Sequence, residues 1–151
     1  MRKIDAVLGG VAVSVLLIED DEYAREILEG VLTASGLSVF SVQTGDEAVE
    51  LFEQGWTFDL LVTDIRLPGR LDGWSTAVEA RQFNPGISVI YMTASHQQSC
   101  PVTRSVFLRK PLRPKLLLEV VGTLLNRPLN RPAKSLPQRS EVRIGTANYL
   151  H

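Results

Sequence analysis

Short apolar runs alternate along the first 125 residues with segments whose apolar residues recur every three or four positions. The runs are nearly continuous, which is typical of strands covered on both faces of a sheet. The intervening segments have the spacing of helices with one apolar face. The predicted strands lie at 11–18, 37–42, 58–63, 87–92 and 106–108. This alternation predicts a parallel sheet wound by right-handed crossovers.

The helical segments carry their own boundary signals. Ser35-Gly36 ends the first helix, Thr44 and Glu47 have the spacing of a capping box, and Pro114 suits a first helical position. The apolar stripes are expected to face the sheet. They comprise Ala24, Ile27, Leu28, Val31 and Leu32, then Trp74, Ala77 and Val78, and finally Leu117, Val120, Val121 and Leu124.

The connection between the fourth and fifth strands departs from this pattern. Residues 94–105 include Pro101 and show no clear apolar stripe. Any helix in this segment must therefore be short. The predicted fold class is α/β, a doubly wound parallel sheet of five strands with a shortened fourth helix.

The two ends of the chain differ from its middle. Residues 1–10 are predicted to be an N-terminal extension, and 11–125 form the predicted domain. Residues 126–151 contain repeated Asn-Arg-Pro triplets, with five basic residues and one glutamate. This composition predicts a disordered or loosely docked basic tail.

The composition limits which partners and which cellular location can be expected. The chain is 44% hydrophobic and 22% charged with a net charge of −1, so no overall field favours nucleic acid or membrane. The single cysteine, Cys100, fits a reducing compartment. The apolar run before Glu19 is too short to span a bilayer. We therefore expect a cytoplasmic protein with no DNA or membrane partner.

Polar residues that could perform chemistry follow the predicted strands. Ligands of an open parallel sheet bind beyond the carboxyl ends of its strands. Glu19 and Asp20 follow the first strand, Asp64 the third, Thr93 the fourth and Lys110 the fifth. Crowded carboxylates repel each other, and a hard cation such as Mg²⁺ relieves that repulsion.

The same residues suggest phosphoryl transfer. A carboxylate can act as the nucleophile and carry an aspartyl-phosphate. Asp64 is alone at its strand end, which makes it the expected acceptor, while Glu19 and Asp20 would hold the metal. Thr93 and Lys110 could then contact phosphoryl oxygens.

With these residues in this order, the chain resembles the receiver domains of response regulators, the CheY-like superfamily, over about residues 12–125. Each motif is weak alone, but together, in order and at suitable spacing, they are highly specific. The motifs are Leu16-Leu17-Ile18-Glu19-Asp20-Asp21, Leu61-Val62-Thr63-Asp64-Ile65-Arg66-Leu67-Pro68-Gly69, Tyr91-Met92-Thr93-Ala94 and Phe107-Leu108-Arg109-Lys110-Pro111.

The resemblance implies a flavodoxin-like (βα)5 fold with strand order 2-1-3-4-5. It also implies phosphoryl transfer to Asp64 from a sensor histidine kinase or a histidine phosphotransfer protein. The backbone carbonyl of Arg66 would join Glu19, Asp20 and Asp64 as a ligand of Mg²⁺.

By the same resemblance, Thr93 and Phe107 match the switch pair and Lys110 matches the phosphate-contacting lysine. The peptide bond between Lys110 and Pro111 is expected to be cis, because a tight turn must aim the ammonium group at the acidic residues.

Three departures from the family pattern stand out. The segment from Thr93 to Lys110 is about one helical turn shorter than usual, which argues against an output surface built on the fourth helix. The loop at 68–73 is one residue longer than the commonest form. Phe107 replaces the tyrosine of many relatives, so no hydroxyl at that position can report the switch state. With no effector domain following residue 125, we expect a stand-alone switch that signals to an unknown downstream protein through residues 94–108.

Two other functions stay open. An aspartyl-phosphate-forming phosphatase uses the same nucleophile, but that class needs an acid two positions later, where this chain has Arg66. A binding module that is never phosphorylated could share the fold, although the full acidic set and Lys110 argue against it. The expected switch is not an enzyme beyond its own phosphorylation and dephosphorylation.

Overall fold

The structure is a computed structural model that describes residues 2–3, 13–94, 101–126, 142–145 and 149–150, the first and last two of these segments by their backbone alone. The strands are β1 (Arg2–Lys3), β2 (Ser14–Ile18), β3 (Ser38–Val42), β4 (Trp56–Thr57), β5 (Leu60–Asp64), β6 (Ser88–Thr93), β7 (Ser105–Arg109), β8 (Val142–Gly145) and β9 (Tyr149–Leu150). The helices are α1 (Glu22–Ala34), α2 (Gly45–Glu53), α3 (Gly73–Phe83) and α4 (Pro114–Leu125).

The main sheet has the order β3-β2-β5-β6-β7-β8-β9. Its first five strands are parallel and follow the predicted order 2-1-3-4-5, which confirms the flavodoxin-like fold class. The parallel part of the sheet has the five predicted strands, but two further strands of the sheet were not predicted. Strands β8 and β9, from the tail at 126–151, extend the sheet antiparallel along the outer edge of β7. A separate parallel pair, β1 with β4, was also not predicted.

The core lies on both faces of the sheet because successive strand residues point to opposite sides. On β2, Val15 and Leu17 pack toward α1 and α4, whereas Leu16 and Ile18 pack toward α2 and α3. All four side chains are fully buried. Burial of each contributes about 1.5–3 kcal/mol relative to exposure, so β2 contributes to the core on both faces of the sheet.

The helix boundaries follow the predicted local rules. The Thr44 hydroxyl accepts the backbone N–H of Glu47 at 3.1 Å, which confirms the N-terminal half of the capping box. Asp21 and Asp72 cap α1 and α3 in the same way. Pro114 occupies the first turn of α4, where the missing N–H has no cost.

The prediction that the apolar stripes face the sheet was wrong at two positions. Ile27 on α1 and Val78 on α3 are largely exposed. Instead, α1 buries Leu28 and Leu32, and α3 buries small residues that include Ala77 and Ala80. A helix of 3.6 residues per turn cannot direct every i, i+3 and i+4 position at a flat sheet.

The segment after β6 connects it to β7. Of residues 94–104, Ala94 and 101–104 are described, and none of these is helical. The predicted shortened fourth helix could lie only in residues 95–100, outside the described residues, as does Cys100. After β7, the Lys110–Pro111 peptide bond is cis, as predicted.

Candidate functional site

Four strand ends bring the candidate residues together. β2 ends at Ile18, immediately before Glu19, and β5 ends at Asp64 itself. On the other side of Asp64, the backbone N–H of Lys110 donates to the carbonyl of Thr93 at 2.7 Å, so the turn after β7 is joined to the end of β6. The parallel register therefore places these residues at one edge of the sheet.

The ammonium group of Lys110 bridges two carboxylates. Its Nζ lies 2.7 Å from Oδ2 of Asp64 and 3.1 Å from Oε2 of Glu19. The Lys110 side chain is 30% exposed and that of Asp64 14%, so the pair is largely shielded from water. Burial alone would lower the pKa of Lys110, but the hydrogen bonds and charges of Asp64 and Glu19 outweigh it, and the net pKa is raised.

Among the charged residues whose side chains the structure describes, Glu19 is the most enclosed, with only 1% of its surface exposed. Burial raises the pKa of its carboxyl, against the opposing effect of the Asp21 N–H, which donates to Oε1 at 3.1 Å, and of Lys110. Arg25 donates to its backbone carbonyl at 2.9 Å. Such a carboxylate is held in one position by its neighbours rather than by solvent.

Glu19, Asp20 and Asp64 form the acidic cluster. One carboxylate oxygen from each lies within 4.8 Å of the others. Asp20 is exposed, so the cluster opens to solvent on one side. Three hard oxygen donors with an open side suit Mg²⁺, which binds one or two carboxylates and retains water and phosphate ligands.

The loop between β5 and α3 is closed at its base and held at its tip. The Gly73 N–H donates to the Ile65 carbonyl at 2.7 Å, and a Cβ on Gly73 would collide with the Asp64 carbonyl. At the tip, Asp46 of α2 accepts the backbone N–H of Arg70 at 3.0 Å. The loop that contains Arg66 is therefore constrained at both ends.

A ring stack, which consists of Trp74, Tyr91 and Phe107, lies on the face of the sheet that α2 and α3 cover. The Tyr91 and Phe107 rings are stacked, with centroids 5.0 Å apart and an interplanar angle of 20°. Trp74 lies against both, at 4.5 Å from Tyr91 and 5.4 Å from Phe107. Phe107 is buried, so the ring expected to act as a switch packs within the core.

The structure brings together the main predicted site residues. Glu19, Asp20, Asp64 and Lys110 meet directly, and Thr93 is half-buried at the end of the adjacent strand. The side chain of Arg66 is exposed in the loop. Their functional roles remain predictions.

Sequence reasoning missed Asp46, Trp74 and Tyr91 as neighbours of the site. A signal existed for Tyr91, because it lies two residues before Thr93 and alternate strand residues share a face. None existed for Asp46, which reaches the loop only through helix packing. Among the described residues, no helix is both long and apolar enough to cross a lipid bilayer.

Comparison with known proteins gives consistent matches. The model of the response regulator receiver domain family matches residues 15–122. A cyclic di-GMP phosphodiesterase of Thermotoga maritima is 31% identical over 121 residues, which are 76% of this chain and 32% of that protein. A probable transcriptional regulator of Cyanidium caldarium, ycf27, is 31% identical over 81% of this chain and 50% of its own length. The chain thus spans half or less of these curated relatives.

Solved structures agree over a similar range. A response regulator receiver protein from Sinorhizobium medicae is 33% identical, with a TM-score of 0.69, over 76% of this chain and 95% of that one. The receiver domain of a sensor histidine kinase from Pseudomonas aeruginosa, solved with a magnesium ion in its active site cleft, is 26% identical with a TM-score of 0.66. The match covers 77% of this chain and 99% of that domain.

Proposed function

This chain belongs to the response regulator receiver domain family, and from that membership we propose that it accepts a phosphoryl group on Asp64 as part of a two-component signalling system. The donor is a sensor histidine kinase or a histidine phosphotransfer protein. Receiver domains of this family are signalling modules. The phosphorylated chain acts through contacts with another protein.

One observation carries this proposal. The Lys110 ammonium lies 2.7 Å from Asp64 and 3.1 Å from Glu19, at the mouth of the acidic cluster. A structural ion pair would need only one carboxylate. Here one cation faces two carboxylates while Asp20 adds a third charge, and that excess of negative charge favours a divalent cation.

The proposed metal site uses the side chains of Glu19, Asp20 and Asp64 with the backbone carbonyl of Arg66. Mg²⁺ bound there would neutralise the oxygens of the transferring phosphoryl group. The Pseudomonas aeruginosa relative contains magnesium in its active site cleft, which supports the same metal here.

The chain's own residues perform the remaining steps. An oxygen of the Asp64 carboxylate attacks phosphorus, the bond from phosphorus to the donor's nitrogen breaks, and that nitrogen leaves with its electron pair. Lys110 pairs with one phosphoryl oxygen, and the hydroxyl of Thr93 donates to another. Hydrolysis of the aspartyl-phosphate later resets the chain.

The proposal does not extend to the activities of whole relatives. The chain covers 32% of the Thermotoga maritima phosphodiesterase, so that activity is not assigned here. A cytoplasmic location fits the proposed kinase partner and the single cysteine. We assign no DNA or membrane partner to the described domain.

The test is incubation with acetyl phosphate and Mg²⁺, followed by intact mass measurement. The wild-type chain is expected to gain one phosphoryl group, and Asp64→Asn none. Glu50→Gln is the matched control, because it removes one exposed carboxylate of α2 away from the acidic cluster. This control should label like the wild type.

The other outcomes separate the alternatives. Rapid turnover of acetyl phosphate without a lasting mass gain would favour a phosphatase. No labelling and no turnover would favour a module that is never phosphorylated. Full labelling of Asp64→Asn would place the acceptor elsewhere.

A further inference from the structure

Tyr91 and Phe107 are partners in the parallel register of β6 and β7. Their rings stack, and Trp74 covers both. Tyr91 is fully buried and Phe107 nearly so. Moving the Phe107 ring would break contacts with two other rings, and each such pair contributes about 0.5–1.5 kcal/mol beyond its burial. Phe107 is therefore not a freely rotating ring.

The ring stack also touches the acceptor strand. Trp74 follows Gly73, whose N–H donates to the Ile65 carbonyl and whose Cα lies against the Asp64 backbone. Tyr91 lies two residues before Thr93, so the two side chains share one face of β6. The stack is thus adjacent to both Asp64 and Thr93 through short stretches of backbone.

The Tyr91 hydroxyl reaches the connection between β6 and β7. The backbone N–H of Val102 donates to Tyr91 Oη at 3.3 Å. The Val102 side chain packs against the same apolar cluster as the rings, and its carbonyl accepts the Ser105 hydroxyl at 2.6 Å. Arg81 of α3 holds the next residue, Thr103, through its carbonyl at 2.7 Å.

We propose that Tyr91 is a positioning residue of the switch, whose hydroxyl couples the Thr93 end of β6 to residues 101–104 and supplies the polar reporter that Phe107 lacks. This inference rests on the proposed phosphorylation of Asp64. The family motif would place such a hydroxyl at position 107, whereas this chain carries it on the adjacent strand in the same stack.

The physical reason is a difference in cost. Displacing a buried ring leaves a cavity, but exchanging one hydrogen bond of a hydroxyl costs far less. When Thr93 moves toward a phosphoryl oxygen, the chain that leaves β6 at Thr93 moves with it, and the Val102 N–H shifts relative to the Tyr91 hydroxyl, which its packed ring holds in place. Residues 101–104 then respond while the ring stack stays packed.

The test measures amide hydrogen exchange at Val102 by NMR, with and without beryllofluoride and Mg²⁺. In the wild type, exchange at Val102 should change between the two states. Tyr91→Phe keeps the ring but removes the acceptor, so exchange at Val102 should be about fivefold faster without ligand. In Tyr91→Phe, the exchange rate at Val102 should also no longer change when beryllofluoride is added. Tyr23→Phe is the matched control, because Tyr23 is 75% exposed on α1, and it should behave like the wild type.

Two measurements keep this inference separate from the proposed function. Tyr91→Phe should still gain a phosphoryl group from acetyl phosphate, since the hydroxyl does not touch Asp64. If Tyr91→Phe shows wild-type exchange at Val102 in both states, the inference is wrong. If beryllofluoride shifts no amide around Asp64 in the wild type, the proposed function fails. The unliganded comparison then still decides whether Tyr91 holds Val102.

Discussion

The acidic cluster with Lys110 and the ring stack lie within a few residues of each other, yet different forces hold them. In the acidic cluster, one ammonium group partly offsets the charge of three carboxylates in a site that opens to solvent at Asp20. In the ring stack, three aromatic side chains exclude water and fill volume. The first can change its charge and ligands, and the second resists any change of shape.

This difference indicates how a small domain can separate chemistry from signalling. Charges respond to an added phosphoryl group or metal over several ångströms, with little movement of atoms. Packed rings convert a small displacement into a discrete change because the interior is dense. Substitutions in the two regions should therefore have different signatures, one in ligand binding and the other in stability.

The largest expected effect is in the ring stack. Phe107→Ala removes a buried ring that contacts Tyr91 and Trp74, and should lower the free energy of unfolding by about 3–5 kcal/mol. Phe83→Ala is the control, since Phe83 is 40% exposed although it also stacks on another ring, Phe52. Urea denaturation should show a clearly smaller loss for Phe83→Ala. Equal losses would mean that the stack has no special share in stability.

Next in size is Lys110→Met. It leaves Glu19 and Asp64 facing each other without the ammonium group, and should destabilise the metal-free chain by about 2 kcal/mol. Saturating Mg²⁺ should recover much of this loss, because the metal neutralises the same carboxylates. Lys115→Met, on α4, is the control and should show no Mg²⁺-dependent recovery. Thermal unfolding with and without Mg²⁺ measures both, and a loss that Mg²⁺ leaves unchanged would contradict the shared site.

Asp20→Ala is expected to affect metal binding rather than stability. Losing one of three carboxylate ligands should weaken Mg²⁺ binding at least about tenfold, which is about 1.4 kcal/mol. Without metal, the free energy of unfolding of Asp20→Ala should equal or exceed that of the wild type, since one repelling charge is removed. Asp21→Ala is the matched neighbour, a helix cap outside the acidic cluster that should lose about 1 kcal/mol of stability but keep its Mg²⁺ affinity. A Mg²⁺ titration monitored by NMR distinguishes the Mg²⁺ affinities of the two variants.

The smallest effect concerns the loop between the two regions. Asp46→Ala removes the acceptor of the Arg70 N–H, and should lower Mg²⁺ affinity only a few-fold by loosening the loop that contains Arg66. The side-chain ion pair of Asp46 with Arg70 is exposed and adds little. Glu50→Ala removes the same charge from α2 without that hydrogen bond. If both variants weaken binding equally, long-range charge is the cause and the loop contact is irrelevant.

The sequence alone was sufficient for the central architecture. Nearly continuous apolar runs separated by helical periodicities admit few arrangements and predicted the parallel sheet, while the order of its five parallel strands came from the resemblance to receiver domains. Residues at the ends of those runs had to meet at one edge of the sheet. The proximity of Glu19, Asp64 and Lys110 followed from that rule without knowledge of any side-chain geometry.

Contacts between elements were beyond the reach of pattern reasoning. Ile27 and Val78 fit a helical stripe, but the rotation of each helix against the sheet left them exposed. Strands β8 and β9 come from a segment whose composition favours disorder. β8 pairs with β7, and β9 with β8, only because the edge of β7 is present in the folded sheet.

The candidate site shows the same difference between what the sequence determines and what the tertiary structure decides. Residue type and position in the chain determined which groups could carry charge and where the strands would deliver them, because alternation and strand ends are local properties. The tertiary structure decided that Phe107 is fixed under Trp74 and that the Tyr91 hydroxyl, on the neighbouring strand, faces Val102. Those contacts depend on the packing of α3 and the path of the chain after β6, which no single stretch of sequence encodes.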